Sequence, residues 1–139
     1  MKLIFATNNK NKVTEVQALL NKRFNVLSLE DINCFDDIVE NKETIEGNAI
    51  LKAKYIFNKY KVDCFADDTG LEVESLNGKP GVMSKRFSGP DFSSEKNMDK
   101  LLKLIEFSEN RKANFKTVVA LIYKGELTTF TGLCHGEIT

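Results

Sequence analysis

Net charge is the first thing this 139-residue chain lacks: 20 Lys and Arg are balanced by 20 Asp and Glu. Proteins that bind duplex nucleic acid ordinarily carry a basic excess, so the simplest argument for such a partner is gone. Long apolar runs are missing too. None approaches the roughly 20 residues that span a bilayer, so no membrane partner is expected. The apolar start, residues 2–6, meets the polar run 7–12 too soon for the apolar region of a secretion signal and reads as a buried first strand. Cysteine is scarce and odd in number. Cys34, Cys64 and Cys134 are widely spaced and form no C-x-x-C pair. That argues against a disulfide framework and a structural zinc site, and suggests three free thiols in a reducing cytoplasm. Proline occurs only twice, and no internal repeat or low-complexity linker appears. With 42% apolar residues, the composition is globular and the length suits one domain with a sizeable core.

What is present alternates between strand-like and helix-like patterns. After the strand at 2–6, Val13, Val16, Leu19 and Leu20 predict a helix over 11–22, with Asn9 or Asn11 as its N-cap. Residues 24–29 read as a strand and the acidic stretch 30–43 as a loop. Thr44 can cap a second helix bearing Ala49, Ala53, Ile56 and Tyr60 on one face. Residues 62–66 predict a strand, Asp67-Asp68-Thr69-Gly70 a turn, residues 71–76 a strand, and Asn77-Gly78-Lys79-Pro80-Gly81 a second turn. Met98, Leu101, Leu102 and Ile105 mark a third helix, capped by Ser93 or Ser94. Residues 115–123 and 127–133 form a hairpin about Lys124-Gly125-Glu126. The order β-α-β-α-β-β-α-β-β implies an α/β fold, a mixed twisted sheet flanked by helices.

Three clusters carry chemistry. Residues 7–12 join a strand to a helix, where open backbone N–H groups and the positive end of the helix dipole favour an anion. Lys10 and Lys12 add charge, and Thr7, Asn8 and Asn9 add hydrogen bonds. This is not a P-loop, because G-x-x-x-x-G-K-[ST] is absent. A polar capped helix start would look the same, and the residues alone leave both readings open. Asp67, Asp68 and Glu40 form a carboxylate set suited to Mg²⁺, or to deprotonating a water. A plain turn remains the alternative, and Asp36-Asp37 is a comparable pair. Lys85 and Arg86 lie in a glycine-bounded loop and can clamp phosphate or simply be solvated. The lone histidine, His135, reads as structural or surface. Phosphate donors together with metal-type carboxylates point to metal-assisted attack on a phosphoric anhydride.

Taken in order, these stretches resemble the inosine triphosphate pyrophosphatase family, the Ham1-like non-canonical purine nucleoside triphosphate pyrophosphatases. The matching residues are Thr7-Asn8-Asn9-Lys10-Asn11-Lys12, Glu43-Thr44-Ile45-Glu46-Gly47-Asn48-Ala49 with Lys52-Ala53, Asp67-Asp68-Thr69-Gly70-Leu71-Glu72-Val73, Leu76-Asn77-Gly78-Lys79-Pro80-Gly81-Val82, Ser84-Lys85-Arg86-Phe87-Ser88-Gly89 and Gly132-Leu133-Cys134-His135-Gly136-Glu137-Ile138. The resemblance implies a Maf/Ham1 type of architecture, hydrolysis of ITP, dITP or XTP to the monophosphate and pyrophosphate, Mg²⁺ as cofactor, and a homodimer. It makes Thr7, Asn8, Asn9, Lys10, Asn11 and Lys12 the triphosphate-binding turn, with Lys12 its phosphate lysine. Lys52 becomes a second phosphate contact, Thr69 a substrate contact and Lys85 a further cation. Glu40 becomes a metal carboxylate, and Asp68 both a metal carboxylate and the base that activates water. Met83 departs from the tyrosine expected there. The family's Phe-Gly-Tyr-Asp-Pro-like segment, later lysine and Ser-His-Arg motif are not found. The expectation is therefore one pyrophosphatase domain over residues 1–139, C-terminally incomplete relative to the family and lacking its base-reading half. Two other outcomes stay open: a nucleotide-binding remnant without turnover, and a Maf-like pyrophosphatase with other substrates.

Overall fold

The computed structural model describes residues 1–89 and 93–139, apart from the side chain of Arg86. The regular elements are β1 (Lys2–Phe5), α1 (Lys10–Leu20), β2 (Asn25–Leu27), α2 (Ile45–Tyr60), β3 (Cys64–Val73), β4 (Lys79–Gly81), α3 (Ser94–Leu104), β5 (Lys112–Tyr123) and β6 (Glu126–Glu137). The strand order is β2-β1-β3-β5-β6, with β4 beside β3. β1 runs parallel to β2 and β3, while β3 and β4 are antiparallel, so the sheet is mixed, as the sequence suggests. No helix among the described residues is long and apolar enough to cross a membrane.

The β-α-β-α-β-β-α-β-β order holds, but its fourth strand is not the expected one. Residues 67–70 do not turn. They lie inside β3, a 10-residue strand that changes partners: Cys64 and Phe65 pair with β1, and Leu71 to Val73 pair with β4. Gly70 is explained by close approach. A Cβ there would stand 2.3 Å from the Gly81 carbonyl oxygen, so only glycine lets the two backbones meet. The strand expected at 71–76 stops at Val73. Residues 74–76 form a 3₁₀ turn closed by Asn77 and Gly78, both at positive φ (55° and 84°). Residues 79–81, expected in a turn, form β4. Lys124 and Gly125, at φ 51° and 82°, make the two-residue connection between β5 and β6 that the right-handed twist of paired strands favours.

The chain divides into two compact units. One comprises Met1–Lys42, Glu46–Asp67 and Val119–Phe130. Its core holds Leu3, Phe5, Val26 and Phe65, covered by Val13, Val16 and Leu20 of α1. The rings of Phe5 and Phe65 stack at 4.3 Å. Ala49, Ala53 and Ile56, the expected inner face of α2, are fully buried. Cys64 is buried as well, which pushes its thiol up to about 11, with help from the Asp63 charge. The other unit comprises Glu43–Ile45, Asp68–Val118 and Thr131–Thr139. Its core is Val73, Leu101 and Ile105, with Leu71, Leu76, Phe87, Ala113 and Ile138 packed against them.

Candidate functional site

Parallel pairing sets the first half of the site. Phe5 registers with Phe65, and the Ala6 amide donates to the Phe65 carbonyl at 2.8 Å. Both strands therefore deliver their next residues to the same end of the sheet, the end where ligands bind in α/β folds. From β1 comes the turn into α1; from β3 comes Asp67.

The turn is more self-contained than an open anion site. Thr7 Oγ1 accepts from the Asn9 amide at 3.1 Å. Asn9 is the N-cap, and its Oδ1 takes the amides of Asn11 and Lys12 at 3.1 and 3.2 Å. Two of the N–H groups expected to await an anion are thus already in use. Asn8, Asn9, Lys10 and Asn11 are exposed. Lys10 reaches Glu30 at 3.8 Å with both side chains largely in solvent, an interaction of little weight. Lys12 differs. One turn into the helix, it is half-buried and places Nζ 3.0 Å from Asp67 Oδ2.

Lys52 of α2 extends this pairing. Its side chain is only 12% exposed; Nζ donates to the Asp67 backbone carbonyl and lies 2.7 Å from Glu40 Oε1. Lys12, Asp67, Lys52 and Glu40 thus alternate in charge within the first unit. Desolvating an ammonium costs several kcal/mol unless a partner compensates, and each lysine here has one. The segment bearing Glu40 is fixed nearby, because the Lys42 amide donates to Oδ1 of the buried Asn48 at 2.9 Å. Chemically this is a pair of held ammonium groups that can exchange a carboxylate for a phosphate oxygen.

The remaining expected residues belong to the second unit. Asp68 is buried, 7% exposed. Thr69 shares a 2.9 Å hydrogen bond with the Thr117 hydroxyl. Lys85 is exposed in the 3₁₀ turn Ser84–Arg86, on the rim of a mostly apolar groove of about 520 Å³ lined by Leu71, Phe87, Met98, Leu101 and Phe115. The side chain of Arg86, its expected fellow cation, lies outside the described residues. His135 is exposed on β6. So the structure brings together Lys12, Lys52 and Glu40, and does so through Asp67. The reading that favoured Asp68 passed over Asp67's pairing. Strand alternation carries a signal for it, since residues two apart share a face: Phe65 packs under α1, and Asp67 follows it on that side to meet Lys12.

Among the described residues no three His, Cys, Asp or Glu side chains converge on a common point. Carboxylates such as Glu40 and Asp68 are the donor type that Mg²⁺ takes, one or two at a time, with waters and substrate phosphates filling its other positions.

Comparison with known proteins gives a consistent result. Residues 3–139 match the model of the Ham1 family. The dITP/XTP pyrophosphatase of Flavobacterium johnsoniae is 58% identical over 139 residues, all of this chain and 72% of that protein. That of Porphyromonas gingivalis is 44% identical over 138 residues, covering 99% of this chain and 71% of the relative. Among solved structures, the Staphylococcus aureus Ham1 protein superposes with a TM-score of 0.93 at 32% identity, covering all of this chain and 72% of that one. A HAM1 protein from Coxiella burnetii gives 0.92 at 29% identity, covering 99% and 73%.

Proposed function

The chain belongs to the Ham1 family, and from that membership we propose that it is a nucleoside triphosphate pyrophosphatase acting on dITP, ITP and XTP. Relatives named dITP/XTP pyrophosphatase support hydrolysis of nucleoside triphosphates, a reaction on an acid anhydride. The observation that carries the reading is the pair of partly buried lysines, Lys12 and Lys52, each paired with one carboxylate: Asp67 on β3 and Glu40 in the segment before α2. Such lysines are poised to take phosphate oxygens at little further desolvation cost.

In this reading water attacks the α-phosphorus and the bond from it to the α,β-bridging oxygen breaks. The products are the nucleoside monophosphate and pyrophosphate, with one proton released. Lys12 and Lys52 hold the charge of the triphosphate. Asp68 takes the proton from the water, a role suited to a carboxylate on a rigid, buried strand. Glu40 and Asp68 are the carboxylates assigned to Mg²⁺, which when bound supplies charge neutralisation on the phosphate oxygens. Thr69 and Lys85 remain substrate contacts on the strength of the family likeness. A homodimer is part of the same proposal.

The test is product release from ITP, dITP and XTP against ATP and GTP, in the presence of Mg²⁺. Monophosphate and pyrophosphate in equal amounts are expected from the first three. Asp68→Asn lowers kcat by about 10²–10⁴, the ordinary contribution of a general base. Turnover unchanged in that variant rules out Asp68 as the base.

A further inference from the structure

Beyond the 3₁₀ turn at Glu30–Ile32, the acidic stretch has no regular structure as far as Lys42, yet it is tied down along its length. Cys34 is buried, and its amide donates to the Leu29 carbonyl at 2.9 Å. Asp36 accepts from the Tyr55 hydroxyl at 2.5 Å and is also paired with Lys59. Glu40 meets Lys52, and the Lys42 amide meets Asn48. The α2 partners are Asn48, Lys52, Tyr55 and Lys59. Their spacing, alternating between one and nearly one helical turn, places all four on one helix face. The segment runs antiparallel to that face: as its numbers fall from 42 through 40 to 36, those of its partners rise from 48 through 52 to 55 and 59.

We infer that residues 34–42 are a strap along α2, latched at Asp36 by Tyr55 and Lys59, and that this latch positions Glu40 on Lys52. Asp36, Tyr55 and Lys59 are positioning residues that act through Glu40. The inference rests on the proposed role of Lys52 as a phosphate contact. Lys59, and then the Tyr55 phenol, hold the Asp36 carboxyl below its ordinary range, and Asp36 in turn raises Tyr55, so the latch is engaged at neutral pH.

The consequence is competition. With the strap latched, the Glu40 carboxylate occupies Lys52 Nζ, and an arriving phosphate must share or displace it. Loosening the latch frees Lys52 for anions, while Glu40 is less often held where the reaction needs it. Anion affinity and kcat therefore move in opposite directions, which a general loss of structure does not produce.

The test uses the 139-residue chain with Tyr55→Phe and Asp36→Asn, each alone and in a Glu40→Gln background. Three readouts are needed: amide exchange over residues 34–42, calorimetric affinity for inorganic tripolyphosphate without divalent metal, and kcat and KM on ITP. Each latch variant is expected to speed strap exchange and tighten tripolyphosphate binding about threefold, the scale of an exposed charge pair. Both kcat and KM fall. In the Glu40→Gln background the same substitutions leave tripolyphosphate affinity unchanged. Unchanged strap exchange, or an equal affinity shift in both backgrounds, overturns the proposal. Lys52→Met separates the two layers. If it binds tripolyphosphate as the wild type does, the phosphate role fails, whereas the exchange result on Tyr55→Phe reports on the latch alone.

Discussion

Two irregular segments, each within its own unit, are held in contrasting ways. The strap over residues 34–42 is fixed mainly by charge: Asp36 on Lys59 and Tyr55, and Glu40 on Lys52. Among the described residues, the loop over residues 82–89 is fixed by a neutral hydrogen-bond network, beside which Lys100 Nζ donates to the Phe87 carbonyl at 2.7 Å. Ser84 Oγ accepts from the Leu71 amide at 2.8 Å and donates to the Gly81 carbonyl at 2.6 Å. Asn97 of α3 accepts from the amide and hydroxyl of Ser88, both at 2.8 Å, and donates to the carbonyls of Ser84 and Lys85 at 3.2 and 2.9 Å. Neutral bonds fix a shape whatever the surrounding ions. Charge pairs hold a segment only until a better-charged partner arrives, which suits the proposed role of Lys52 in taking a phosphate oxygen.

Three substitutions or conditions sharpen this contrast. The largest effect is expected next to the neutral loop, at Gly70→Ala, where β3 meets the strand that leads into it. A Cβ set 2.3 Å from the Gly81 carbonyl oxygen forces β3 and β4 apart. The cost is about 3 kcal/mol of unfolding free energy by denaturant titration, at the upper end for overpacking. A loss under about 0.5 kcal/mol would mean that the two backbones relax apart freely. Next comes Asn97→Ala, which strips four bonds from the 82–89 loop. It is expected to cost about 2 kcal/mol, equally at low and high salt, and a strong salt dependence would contradict the neutral account. The smallest effect is on the strap and appears with pH. The folded Asp36 carboxyl lies below its ordinary 3.8, so its stabilisation is complete above that value and disappears as pH falls through the lower folded one. The groups facing it are Lys59, Tyr55 and Tyr60 of α2, and the Cys34 thiol of its own segment lies against the two phenols. Strap exchange, corrected for intrinsic rates, is expected to hold steady from neutral pH down to the ordinary aspartate range and to rise below it. Release already complete at pH about 5 would show that Asp36 is not the latch.

Much of the fold is legible because hydrophobic spacing and caps are local. Val13, Val16 and Leu20 announce α1, Asn9 and Ser93 cap the helices that follow them, and Ala49, Ala53 and Ile56 mark the inner face of α2. The misreadings come from non-local causes. Asp67-Asp68-Thr69-Gly70 looks like a turn because glycine and aspartate favour turns. Here Gly70 answers to Gly81, eleven positions away. Strand β4 is three residues long and holds a proline, so no alternating pattern could reveal it. At the site, Lys12, Lys52 and Glu40 can be singled out by residue type and resemblance. Their joining through Asp67 depends on strand register and on α2 lying against the acidic stretch, which one-dimensional spacing does not encode.

In the proposed reaction the lysine pair holds a triphosphate whose α-phosphorus is attacked by water. Hydrolysis of ITP in ¹⁸O-enriched water, with products resolved by ³¹P NMR, tests it most directly. The label is expected in inosine monophosphate, with unlabelled pyrophosphate in equal amount, and release of both is slowed in Lys52→Met. Label in pyrophosphate, or release of orthophosphate as the primary product, would contradict it.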